Sequence, residues 1–110
     1  MRTPFIASLT VSLLCLALSP LAQAQGAGGK EALYTQGLAA TCANCHGTNG
    51  KVVPGSSVTS LAGLDKSYII AQMAAFKSGT RPATVMHQIS KGYNDAQIES
   101  LAAYFAAQKK

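Results

Sequence analysis

Two cysteines and a histidine lie within one five-residue segment, CANCH, which runs from Cys42 to His46. Thiols at this spacing suit three kinds of chemistry: a dithiol redox pair, half of a zinc site, or covalent attachment of a haem. A redox dithiol begins a helix in a fold that contains strands, whereas here an apolar helical pattern precedes the cysteines. A zinc site needs four ligands, and the adjacent Cys45 and His46 would strain a tetrahedral arrangement. His87 would have to complete it.

The haem interpretation uses every reactive residue of the motif. In C-x-x-C-H segments the two thiols add to the vinyl groups of haem, and the imidazole of the next residue binds the iron. We therefore predict one haem c, attached through Cys42 and Cys45, with His46 as an axial ligand. Because this attachment takes place outside the cytoplasm, the interpretation requires an export signal.

The N-terminal residues have the composition of such a signal. Arg2 is followed by an apolar stretch, which polar residues interrupt and which ends in a small-x-small triplet at residues 22–24. We therefore predict a signal peptide at residues 1–24, a monohaem domain at residues 25–110, and a periplasmic location. The stretch falls short of the roughly 20 apolar residues that span a bilayer, so we expect no membrane span after signal removal, and a retained membrane anchor is the alternative.

Composition narrows the function further. Apolar residues make up 48% of the chain and charged residues 12%, with a formal net charge of +5 that falls to about +4 without Arg2. The basic residues are dispersed and are not interleaved with aromatic residues, which argues against nucleic acid, whereas a mild positive charge suits an acidic protein partner. Cys15 leaves with the signal, and a domain as small as residues 25–110 is typically stabilised by a disulfide, metal or cofactor.

Two helical patterns flank the loop that follows the motif. After a flexible leader at residues 25–29, the first helix is predicted to begin near Lys30. Its expected apolar face comprises Leu33, Tyr34, Gly37 and Leu38. Residues 46–63 are rich in Gly, Asn, Ser and Thr, which predicts a loop. The next helix is predicted at residues 66–78, with Asp65 as its N-cap and Gly79 at its end.

The last part of the chain predicts two more helical segments. Residues 85–90 form a short apolar segment that ends at Gly92. Asn94 then caps a final helix with Gln97 at the capping-box position. Its expected buried stripe comprises Ile98, Leu101, Ala102 and Phe105. No segment alternates with period two for long enough to predict a strand, so the fold class is all-α. We expect the first and last helices to cross closely, with the small Gly37 and Ala102 at the contact.

The second axial ligand has three candidates. Histidine and methionine are the usual choices for an electron-transfer haem, which leaves Met73, Met86 and His87. Met73 shares a helical stripe with apolar residues, which is typical of core packing. Met86 follows Pro82 in a short segment, from which the chain can bring a thioether to the far side of the haem. We therefore predict Met86, with His87 as the alternative.

Taken together, CANCHGTNG, the segment AFKSGTRPATVMHQISKGYNDAQI and the end ESLAAYFAAQ resemble a class I cytochrome c. They are particularly similar to the cytochrome subunit of flavocytochrome c sulfide dehydrogenases. The resemblance covers residues 32–108 and implies helices wrapped around one haem, with the methionine of the T-x-M triplet, here Met86, as axial ligand. Where the family has a proline whose carbonyl holds the histidine ligand, this sequence has Thr59.

The resemblance also implies a function and a partner. The expected protein is a periplasmic electron carrier with no catalysis of its own, and it accepts electrons from a flavoprotein that oxidises sulfide. One alternative is a free-standing cytochrome c that shuttles electrons to an oxidase or peroxidase, and another is a ligand-binding haem protein with an open iron site. Lys77, Arg81 and Lys91 flank the Met86 segment and are expected to form a basic rim near the haem edge.

Overall fold

The computed structural model describes residues 21–110, with side chains from Gly28 onward. This part contains four α-helices and no strand, which confirms the all-α prediction: α1 (Leu21–His46), α2 (Lys66–Ser78), α3 (Met86–Ile89) and α4 (Asp95–Ala106). Two 3₁₀ turns lie at Thr48–Gly50 and Ser90–Gly92. None of the described helices is both long enough and apolar enough to cross a membrane.

The contacts divide the chain into two units, Met1–Glu31 and Ala32–Lys110. Every side chain discussed below belongs to the second unit. The predicted signal peptide belongs to the first unit and lies largely outside the described residues, as does Cys15. Both the signal peptide and its cleavage after residue 24 stay predictions.

Helix α2 begins and ends where its local signals predicted, and α4 begins where its capping signal predicted but ends at Ala106, before the two C-terminal lysines that were expected to close it. Asp65 Oδ1 accepts a hydrogen bond from the backbone N–H of Tyr68 at 3.1 Å, and Gly79 ends α2 in the left-handed conformation with φ of 79°. At the start of α4, the Asn94 side chain accepts from the Gln97 N–H, while Gln97 Oε1 accepts from the Asn94 N–H. These reciprocal bonds satisfy backbone donors that a helix start otherwise leaves without partners.

The core is small and is built from three helices. Its buried cluster consists of Ala39 of α1, Ile69 of α2, and Leu101, Ala102 and Phe105 of α4. Ala102 has no exposed surface, and Ile98 is also buried, which confirms the predicted stripe of α4. Because α1 and α4 each place an alanine in this cluster, their backbones can approach closely.

Helix α1 departs from the sequence prediction in its start and in its buried face. It begins at Leu21 and not near Lys30, so the leader predicted at residues 25–29 is helical: good helix formers at residues 21–25 start the helix, which continues through the three glycines that follow. Leu33 is 69% exposed, Tyr34 is 51% exposed, and Gly37 is also exposed. The face that turns inward is the one carrying Leu38, Ala39 and Cys42. The predicted face is therefore right for Leu38 and wrong for the other three positions, because the rotation of α1 follows the cysteine side of the helix.

Gly50 lies where the loop after α1 folds back on itself and packs against Phe105 of α4. The Gly50 carbonyl accepts hydrogen bonds from the Leu61 N–H at 2.7 Å, the Ala62 N–H at 3.1 Å and the Ser60 hydroxyl at 2.9 Å. Gly50 has φ of 78°, and a Cβ built on it would lie 2.7 Å from Phe105 Cδ1 and 2.9 Å from Leu61 Cβ. Only glycine fits here, and the bonds fold the loop back so that residues 59–62 return towards the end of α1.

Replacing Gly37 by alanine is expected to stabilise the protein. A Cβ added there meets no atom within 4 Å, so alanine relieves the cost of glycine in a helix, roughly 0.5–1 kcal/mol. Ala102→Val, at the fully buried position, should destabilise by roughly 1–3 kcal/mol through overpacking. Denaturant unfolding measures both changes. Loss of stability in Gly37→Ala would instead indicate that Gly37 lies at the contact between α1 and α4, as the sequence predicted.

Replacing Gly50 by alanine is expected to destabilise the protein more than the same change at Gly55. Both glycines have positive φ, 78° and 84°, but a Cβ at Gly55 meets nothing within 4 Å. The pair therefore shares the backbone strain and differs in the clash with Phe105 and Leu61, which we expect to be worth roughly 1–3 kcal/mol. Thermal unfolding of the two variants side by side measures the difference, and equal losses would show that the close approach at Gly50 is absent.

Candidate haem-binding site

A single cavity brings the predicted site residues together. It has a volume of about 560 Å³ and is lined by Cys42, Cys45 and His46 of α1 and by Met86 of α3. The loop after α1, the inner face of α2 and the segment around Pro82 form the rest of its wall. Most of the lining side chains are apolar, and the volume falls within the roughly 300–1,000 Å³ of typical cofactor pockets.

The CANCH motif occupies the last turn and a half of α1. This is the negative end of the helix dipole, which disfavours a thiolate. Burial raises the pKa of the Cys42 thiol. A redox dithiol needs the opposite conditions, with a lowered thiol pKa at a helix start. The local environment therefore favours cysteines that are bonded to a cofactor over a reactive pair.

The imidazole of His46 is fixed by a backbone carbonyl. His46 Nδ1 lies 2.7 Å from the carbonyl oxygen of Thr59. Since a carbonyl can only accept, Nδ1 carries the proton and donates it, which leaves the lone pair on Nε2. A second-sphere bond of this kind orients a metal-binding histidine and raises its basicity. Thr59 therefore supplies the same backbone group as the proline expected at this position.

The three candidates for the second axial ligand are placed differently. Met86 and Met73 both line the cavity, but His87 does not. Met73 also packs against the buried core cluster, as its position on the apolar stripe of α2 predicted. Met86 is not part of that cluster. Of the three, Met86 is the residue that faces the cavity without a competing role in the core.

One cation also reaches the cavity. Arg81 lines it, with its guanidinium carbon 4.7 Å from the centre of the Phe76 ring and with Nη1 donating to Gln72 Oε1. Arg81 was predicted from the sequence to lie near the haem edge, whereas Gln72 was not, although a polar residue on the apolar stripe of α2 indicates a site. A guanidinium held in place by an amide and an aromatic face suits a carboxylate, such as the propionates of haem.

The other members of the predicted basic rim are not brought to the cavity. Lys77 Nζ lies 3.5 Å from Asp95 Oδ1, and both residues line a separate groove between α2 and α4. Lys91 is exposed and does not line the cavity. Two further side chains, Thr84 and Tyr93, do line it. The predicted rim is therefore reduced to Arg81 at the cavity itself.

These residues fit haem c. The donor set offers two thiols for covalent attachment, an imidazole whose Nε2 is available, and a thioether from a separate segment. His46 and Met86 would bind the iron, Cys42 and Cys45 would hold the macrocycle, and the apolar wall would exclude water. The one guanidinium in the wall offers a partner for the acidic side chains of the macrocycle.

Known proteins with a similar sequence support the assignment of haem c. The family model described as Cytochrome c matches residues 28–109. The chain is 37% identical over 97 residues to "Cytochrome c4" of Pseudomonas aeruginosa, covering 88% of this chain and 46% of that protein. It is 40% identical over 68 residues to "Cytochrome subunit of sulfide dehydrogenase" of Chlorobaculum tepidum, covering 62% of this chain and 60% of that protein.

A third relative is named for a different role. "Thiosulfate dehydrogenase electron acceptor" of Stutzerimonas stutzeri is 35% identical over 89 residues, which cover 77% of this chain and 41% of that protein. The chain thus spans about half the length of the curated relatives it matches.

Proposed function

Because this chain belongs to the cytochrome c family and its cofactor is covalently bound haem c, we propose that it is a periplasmic carrier of single electrons. In this proposal Cys42 and Cys45 form the two thioether bonds, and His46 and Met86 are the axial ligands. Haem iron held in this way takes up and releases one electron at a time, with no site for a substrate to bind.

The strongest support for this proposal is the hydrogen bond of the His46 imidazole. Its Nδ1 is committed to Thr59, so its Nε2 is the free donor in the cavity that Cys42, Cys45 and Met86 share. A thioether opposite an imidazole favours ferrous iron and raises the reduction potential relative to two imidazoles. The apolar wall adds to this effect, because burial in low dielectric disfavours the extra positive charge of the ferric state.

We propose a flavoprotein sulfide dehydrogenase as the electron donor. The resemblance to the cytochrome subunit of sulfide dehydrogenase supports this choice. A second donor, a thiosulfate dehydrogenase, is favoured by the likeness to the electron acceptor of that enzyme. A free-standing carrier that delivers electrons to an oxidase or peroxidase is consistent with the likeness to cytochrome c4. In all three roles the chain itself performs no catalysis.

An open iron site, with ligand binding as the function, is the competing proposal. It requires that neither Met86 nor His87 bind the iron. Met86 lines the cavity beside the motif, which argues against an open site. Tight binding of carbon monoxide by the unaltered ferrous protein at neutral pH would favour the open site.

Met86→Ala is expected to abolish the weak near-infrared band of the ferric protein, which reports a methionine thioether on iron. Met73→Leu and His87→Ala are the matched controls, and both should keep the band because Met73 is assigned to core packing and His87 does not line the cavity. Met86→His should keep a six-coordinate haem and lower the reduction potential by on the order of 100 mV, within the roughly 0.8 V that axial ligands span. Loss of the band in Met73→Leu, with retention in Met86→Ala, would show that Met73 and not Met86 is the axial ligand.

Purification of the native protein under mild conditions is expected to separate the donors. A stable sulfide dehydrogenase subunit should co-elute with flavin fluorescence at a constant flavin-to-haem ratio across the peak. A free carrier should elute as a flavin-free haem protein. In the second case, the ferric protein can be mixed with each candidate donor. Reduction by thiosulfate dehydrogenase but not by sulfide dehydrogenase would show that thiosulfate dehydrogenase is the donor.

A further inference from the structure

A pair of hydroxyl groups ties the Met86 segment to α1 at the edge of the cavity. Tyr93 Oη lies 2.6 Å from Thr41 Oγ1, and Thr41 Oγ1 lies 2.6 Å from the carbonyl oxygen of Leu38. The carbonyl can only accept, so the one Thr41 proton is donated to Leu38. Tyr93 must therefore donate to Thr41, which gives the chain of bonds a single direction.

Both ends of this bond lie beside the proposed haem ligands. Thr41 directly precedes Cys42, and Tyr93 directly follows the 3₁₀ turn that continues α3 from Met86. Thr41 and Tyr93 both line the cavity. The backbone N–H of Tyr93 donates to the Ser90 carbonyl at 3.3 Å, so that the tyrosine is held to the end of the Met86 segment.

The bond is also isolated. Within the part of the chain that the structure describes, it is the one hydrogen bond that joins residues 82–93 to another element. The remaining hydrogen bonds of this segment are local turns within it. Val85 and Ile89 are 53% and 43% exposed, whereas Ser90 is buried and Tyr93 packs against the core cluster, so packing and this bond together hold the segment. A hydrogen bond that is alone in joining a segment to another element has more effect on its position than one bond among many.

We propose that Tyr93 is a positioning residue, which acts through Thr41 to keep the Met86 thioether in the cavity. This inference rests on the proposed function, in which Met86 is the axial ligand. An added ligand such as imidazole binds the ferric iron only in molecules whose thioether has moved away. Its apparent affinity therefore measures how firmly the Met86 segment is held.

Tyr93→Phe and Thr41→Val each remove the bond while keeping the shape of the side chain. In the ferric holoprotein each is expected to raise the affinity for imidazole by roughly 2- to 10-fold, the effect of losing one hydrogen bond. The double variant should show the same increase as either single variant, because both remove the same bond. Thr41→Ser keeps the hydroxyl and should bind imidazole as the unaltered protein does.

Tyr34→Phe is the matched control. Tyr34 Oη accepts a hydrogen bond from Gln97 Nε2 at 2.7 Å, which joins α1 to α4 away from the cavity. Its loss should lower thermal stability without changing the imidazole affinity. A general loosening of the protein would instead change the affinity in Tyr34→Phe and Tyr93→Phe alike, and would overturn the inference.

The outcomes separate this inference from the proposed function. An unaltered protein without the near-infrared methionine band would contradict the function itself. If the band is present but Tyr93→Phe and Thr41→Val bind imidazole as the unaltered protein does, only the positioning role fails. Additive effects in the double variant would also overturn it. If Tyr93→Phe does not accumulate with haem, Thr41→Val and Thr41→Ser decide the question.

Discussion

The main constraint on this fold is that few side chains are buried in its core. The core cluster of residues 32–110 holds five buried residues, two of them alanine, whereas the larger apolar side chains of α2 and the neighbouring loops line the cavity. The core of a domain of this size gives only marginal stability. An apolar cofactor bonded to the chain supplies the missing contact area and restricts the unfolded chain. The site and the core are therefore one physical unit.

The site is organised from the end of α1 outward. The Gly50 carbonyl folds the following loop back, and the Thr59 carbonyl then meets His46 Nδ1. The same helix turn carries both thiols, so one element sets the position of the imidazole and of the covalent bonds. The Met86 segment comes from a separate part of the chain and is joined to α1 by the bond between Tyr93 and Thr41.

Local signals in the sequence predicted much of the fold. The caps of α2 and α4, and the buried stripe of α4, depend on residues within a few positions of one another, and the structure has them as predicted. The buried face of α1 was predicted wrongly, because its rotation follows the side that carries Cys42 and not the most apolar side. Thr59 serves through a backbone carbonyl, which any residue supplies, so its side chain was no guide. The bond between Tyr93 and Thr41 spans 52 positions and had no local signal.

The most direct test is the mass of the purified protein and of its tryptic peptides. The peptide of residues 31–51, between the cleavage sites at Lys30 and Lys51, contains Cys42, Cys45 and His46. The account predicts that this peptide carries the mass of one haem and that neither thiol reacts with an alkylating reagent after unfolding. A peptide of unmodified mass with two alkylated thiols would contradict it.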